Sequence, residues 1–139
     1  MLVAAQDRAF LPRSGPAVRF WDGSLEVLPG ITLHQPGGHF PGSGVAHWTG
    51  ADGRGVLLSG DTIMPTPHGH AVSFMRSYPN NIPLSAAVVR RVADAVAPLS
   101  FDRLYGNFAG MVPADAHEVV ARSAARYVAW VSGEHDHLT

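Results

Sequence analysis

Two strand–turn–strand patterns follow one another in the first half of this chain and two amphipathic helical stripes come after them, an order that constrains the fold more than any other feature. Leu25-Glu26-Val27-Leu28 and Ile31-Thr32-Leu33-His34 flank Pro29-Gly30, where Pro fixes φ and Gly is free to take a positive φ, so a hairpin is expected. Val45-Ala46-His47-Trp48-Thr49 and Gly55-Val56-Leu57-Leu58-Ser59 flank Gly50-Ala51-Asp52-Gly53 and read as a second hairpin with a longer loop. The run Val56-Leu57-Leu58 is apolar without alternation, which predicts a strand buried on both faces.

From Ile63 to Pro83 the sequence is rich in Pro, Gly, Asn and His and has no period, so it reads as a long loop. Ser85 is placed to cap a helix from Ala86 to Val96, with Val89, Val92, Ala93 and Val96 inward, Arg90, Arg91 and Asp94 outward, and Pro98 just beyond. A short strand is expected from Phe101 to Tyr105. Asp115 and Glu118 have capping-box spacing for a helix to about Val131, with Val120, Ala124, Tyr127, Val128 and Val131 buried. Gly133 ends it, and Glu134 to Thr139 read as a frayed tail. The whole predicts an α+β domain, mainly antiparallel sheet with helices on one face.

With 139 residues, 46% of them hydrophobic, the chain is long enough for one domain with a real core. A net charge of −1 and no run of five like charges argue against nucleic acid or an anionic membrane surface as partners. The N-terminus reads as neither a secretory signal nor a membrane span, so the cytoplasm is the expected location. The absence of cysteine confines metal ligation to His, Asp and Glu.

Two segments could carry chemistry. In Gly37-Gly38-His39-Phe40-Pro41-Gly42-Ser43 a His follows a strand on a sharply bending backbone, where a metal or substrate can come close; a Gly-rich turn with a surface His would read the same. In Val56-Leu57-Leu58-Ser59-Gly60-Asp61-Thr62 an apolar strand runs into Gly-Asp, so the carboxylate emerges at the strand end as a metal ligand or as a turn cap.

This ordered pair, with a hairpin between its members, resembles the second half of the metallo-β-lactamase superfamily over most of the chain, from about Val18 to about Val131. The resemblance implies half of an αββα sandwich, in a chain that forms one partial domain over residues 1–139. It implies metal-assisted hydrolysis of a small-molecule substrate, with Zn²⁺ or another divalent metal as cofactor in intact homologues. His39 would be a metal ligand, and Asp61 a bridging ligand and the catalytic carboxylate that orients water.

The departures are equally definite. The family's His-x-His-x-Asp-His signature is absent, and where a final metal-binding His follows the family's later strand, this chain has Gly106-Asn107-Phe108. Two ligands fall short of the three or four of a zinc site, so the expectation is a truncated hydrolase with an incomplete metal site. His68 and His70 read as loop residues, His135 and His137 as tail residues, His34 and His47 as strand residues, and His117 as a first-turn helix residue. Arg76 and Tyr78 are candidate donors on the wall of a substrate cleft, or else parts of a packed connecting loop. No Gly-x-Ser-x-Gly elbow or phosphate loop with Lys is present. Half a sandwich would leave one sheet face bare, which gives the alternative expectation of a metal-free assembly domain, completed by a homodimer or a complementing chain.

Overall fold

In a computed structural model of the chain, which describes residues 1–13 and 15–139, Gly30 takes φ +77° and closes the first hairpin as its turn residues dictate. In chain order the strands are β1 (Leu2–Ala4), β2 (Arg19–Trp21), β3 (Ser24–Leu28), β4 (Ile31–His34), β5 (Val45–Trp48), β6 (Val56–Gly60), β7 (Met64–Pro65), β8 (Val72–Ser73), β9 (Met75–Ser77), β10 (Ile82–Pro83), β11 (Arg103–Gly106) and β12 (Met111–Val112). The helices are α1 (Ala86–Val96) and α2 (Ala116–Val131). Six strands form the main sheet in the order β12-β11-β6-β5-β4-β3. Its neighbours are antiparallel except β6 and β11, which run parallel because α1 lies between them in the chain.

Both helices cover one face of this sheet. Leu57 and Leu104, side by side on β6 and β11, are fully buried in a core with Val89, Val92 and Val96 of α1 and Val120, Ala124 and Val128 of α2. Each of these Leu and Val side chains contributes about 1.5–3 kcal/mol by leaving water. Ser85 caps α1 through its Oγ, which accepts from Val88 N at 3.4 Å. The α+β architecture, both main hairpins and both helices agree with the sequence reading.

Several details differ. Leu57 is buried but Leu58 is 46% exposed, so β6 is covered on its helix side and partly open on the other. The segment from Ile63 to Pro83 is not a plain loop: β7 pairs with β8 and β9 with β10, and Ile63, Val72 and Phe74 enter the core. Asp115 precedes α2 with φ +53° and makes no side-chain cap, so the capping box does not form. Asp102 acts instead, its carboxylate accepting from Asp115 N and its carbonyl from Ala116 N, each at 3.0 Å. Val131 is 41% exposed, while Val119 and Ser123 take buried positions on α2.

The tail is ordered into a 3₁₀ turn at Asp136–Leu138, with His135 edge-on to Trp130 at 4.9 Å. At the other end, which the strand patterns left unassigned, β1 pairs in parallel with β2, and a 3₁₀ turn, Ala5–Phe10, follows it. Among the described residues no helix is long and apolar enough to cross a membrane.

Candidate metal centre

His39 lies in the connection between β4 and β5, and Asp61 directly follows β6, the neighbour of β5 in the sheet. The His39 loop is held from three sides. Gly37 N donates to Ser43 O at 3.0 Å, Arg91 of α1 donates through Nε to Pro36 O at 3.1 Å, and Gly42 N donates to the Asp7 carboxylate at 2.8 Å. Gly38 takes φ +109°, and a Cβ there would stand 3.1 Å from Val92 Cγ2, so the backbone before His39 sits directly on the helical layer.

Asp61 sits on a tight turn closed by Thr62 N donating to Ser59 O at 3.0 Å. Ser59 is fully buried and its hydroxyl donates to Ile63 O at 2.6 Å, while Thr62 Oγ1 donates to Gly44 O at 3.2 Å, tying this turn to the end of the His39 loop. Gly60 supplies the φ of +53° that turns the chain out of the strand. The residue pattern Ser59-Gly60-Asp61-Thr62 is therefore a clamp that aims one carboxylate.

The two donors converge. His39 Nε2 and Asp61 Oδ2 are 3.9 Å apart, with 23% and 33% of their side chains exposed. That is too long for a hydrogen bond. His39 Nδ1 lies 2.8 Å from Met75 O; a carbonyl only accepts, so in the neutral ring Nδ1 carries the proton and Nε2 presents its lone pair. Backbone support of this kind is what orients a metal-binding imidazole. Asp61 Oδ1 is buried without a protein hydrogen-bond partner, a position that a cation or a water molecule would satisfy. Two such donors on a tetrahedral zinc would be about 3.4 Å apart, so the observed gap needs only a small closure.

Tyr78 lines the same place, its ring centroid 5.5 Å from that of His39. Its hydroxyl is committed to the backbone, donating to Asp61 O at 3.2 Å, so it serves the Asp61 turn as a packed residue of the connecting segment. Burial, reinforced by the Asp61 carboxylate, pushes its pKa well above the ordinary phenol value, which keeps this donor protonated. Arg76 is exposed.

The other histidines do not join the pair. His47 Nε2 and His117 Nε2 each lie 2.8 Å from a loop carbonyl, of Ser100 and Ala97 respectively. His68 and His70 are exposed between β7 and β8, and His135 and His137 pack near each other past α2. Among the described residues no group of three or more His, Cys, Asp or Glu could hold a metal ion. The residues present therefore fit half of a site.

Asn107 completes the picture: a Cβ placed on Gly60 would lie 3.7 Å from Asn107 Oδ1, so this amide stands beside the root of Asp61. Two stabilising residues carried no sequence signal: Asp7, whose partner Gly42 is far along the chain, and Ser59, whose hydroxyl also reaches Tyr105 O of β11 at 3.2 Å. An apolar groove of about 440 Å³ between α1 and α2 includes Phe101 and Val120 but neither donor, and belongs to the outer helical layer.

The model of the Metallo-beta-lactamase superfamily matches residues 2–106. Uncharacterized protein YmaE of Bacillus subtilis (strain 168) is 44% identical over 130 residues, which are 92% of this chain and 47% of that relative. The chain thus spans about half the length of the curated relative it matches.

Proposed function

The chain belongs to the metallo-β-lactamase superfamily, and on that premise we propose that it is a partial domain of a metal-dependent hydrolase, contributing His39 and Asp61 as ligands to a divalent metal. The observation that carries the proposal is the imidazole Nε2 and carboxylate Oδ2 facing one another at 3.9 Å, with Nδ1 already engaged by Met75 O.

A divalent metal such as Zn²⁺ held there would supply Lewis acidity, lowering the pKa of a water molecule and polarising an ester, amide, thioester or phosphodiester bond of a small-molecule substrate. The chain's own parts have separate roles. His39 donates a lone pair with its ring fixed by Met75 O; Asp61 supplies negative charge and accepts a hydrogen bond from water; Ser59 and Thr62 hold the Asp61 turn; Tyr78 pins its carbonyl.

Calorimetric titration with Zn²⁺ tests this. Weak uptake of up to about one equivalent, as two protein ligands allow, is expected, lost in both His39→Ala and Asp61→Ala. Binding unaffected by either substitution would refute it. The two-donor count favours a second reading, a metal-free assembly domain, for which neither the chain nor its two variants would take up metal in the titration.

A further inference from the structure

A second groove runs between α2 and the segment from β7 to β10, and neither His39 nor Asp61 lines it. It encloses about 500 Å³, the size of a small-molecule site. Its floor is apolar because most of its polar atoms are already bonded within the fold. Ser123 Oγ, buried on α2, accepts from Val72 N at 3.1 Å, the Tyr127 hydroxyl accepts from Leu84 N at 2.8 Å, and Thr66 Oγ1 donates to Ala71 O at 3.1 Å. A ligand body resting there gains by leaving water and finds little to hydrogen-bond.

The rim is different. Arg122, Arg126 and Trp130 follow one another at four-residue spacing, so α2 presents them in line along one face, all three on the groove. Arg122 Nη2 donates to His70 O at 3.3 Å, which fixes that guanidinium toward the β7–β8 connection while using one of its five N–H donors. Among the described residues the arginines paired with carboxylates are Arg54 and Arg103. Arg122 and Arg126 are not so paired, even though Glu118 stands one turn before Arg122, and no Asp or Glu lines the groove. Two positive charges therefore border an apolar floor without a counter-charge.

We infer that this groove binds a small aromatic carboxylate, its ring against Trp130 and the floor and its carboxylate on Arg122 and Arg126. Like charges one helical turn apart repel each other, and an anion between them removes that repulsion. The planar guanidinium fork matches the two oxygens of a carboxylate. Trp130, 40% exposed at the rim, supplies an aromatic surface for a flat ring. The inference rests on this groove alone and is independent of whether His39 and Asp61 take up metal.

Titration of the full chain with naphthoate, followed through the indole N–H resonances of its three tryptophans, is the test. Saturable movement of Trp130 is expected, while Trp21 on β2 and Trp48 on β5 stay in place. Arg126→Gln is expected to weaken binding about tenfold, and naphthylmethanol, which keeps the ring and lacks the charge, is expected to bind more weakly by a similar factor. Arg122→Gln probes the other cation. Arg126 is exposed on α2, so its replacement leaves the fold intact and keeps the test decisive should Arg122→Gln unfold. Naphthoate that does not saturate, that moves Trp21 or Trp48 in place of Trp130, or that binds no better than its alcohol would overturn the inference. Affinity unchanged in the folded variants would do the same, as would octanoate binding as tightly as naphthoate.

Discussion

His39 Nε2 and Asp61 Oδ2 stand 3.9 Å apart, delivered by different connections of adjacent hairpins and separated by a gap no hydrogen bond closes. Asp61 Oδ1 is buried and unpartnered beside that gap. A carboxylate kept in such a place costs stability in the metal-free protein, as groups held for function commonly do. Asp61→Ala is therefore expected to raise the metal-free unfolding free energy by about 1 kcal/mol, measured by urea titration, while abolishing metal uptake.

Asn107 occupies the stretch after β11 where the superfamily's last metal-binding His is found, and its side chain stands beside Gly60. Asn107→His is expected to add a third donor to His39 and Asp61 and to tighten Zn²⁺ binding by at least about tenfold. Competition with a chromogenic chelator measures this. An unchanged affinity would mean that the two connections do not share a coordination sphere.

Gly38 combines φ +109° with a would-be Cβ 3.1 Å from Val92 Cγ2 and 3.6 Å from Leu84 Cδ1. Gly38→Ala is expected to cost about 1–3 kcal/mol, from a backbone region that side chains avoid and from the close approach to α1. Thermal unfolding gives the loss, and weakened metal uptake would accompany it because the same loop carries His39.

His34 has its pKa lowered from the ordinary 6.5, first by burial and then by the nearby His47. The folded state thus binds fewer protons than the unfolded chain near that pH. This contribution to stability is present in full above pH 6.5 and is lost as the pH falls below it. Unfolding measured across this range should show that loss, and His34→Gln should flatten it.

Much of this was legible in the residues. Pro29-Gly30, the Gly50 to Gly53 loop, Ser85 and Gly133 are local signals, so the hairpins and helices they bound were readable from short windows. The His39 and Asp61 pairing was readable because both follow strands whose order the hairpins fix. What escaped depends on distant partners. Leu58 belongs to an apolar run, and no pattern within the run tells that one sheet face lacks a cover. The two-residue strands β7 and β8 exist through tertiary register, and Asp102 displaced Asp115 as the cap of α2 because Asp115 adopts φ +53°. The parallel pairing of β1 with β2 likewise joins segments too short to announce themselves.

The most direct measurement follows the imidazole nitrogens by NMR while Zn²⁺ is added. If His39 is a metal ligand, its Nε2 resonance shifts first and its Nδ1 keeps the signature of the bond to Met75 O. A titration in which His68, His70, His135 or His137 responds while His39 stays unmoved would contradict it.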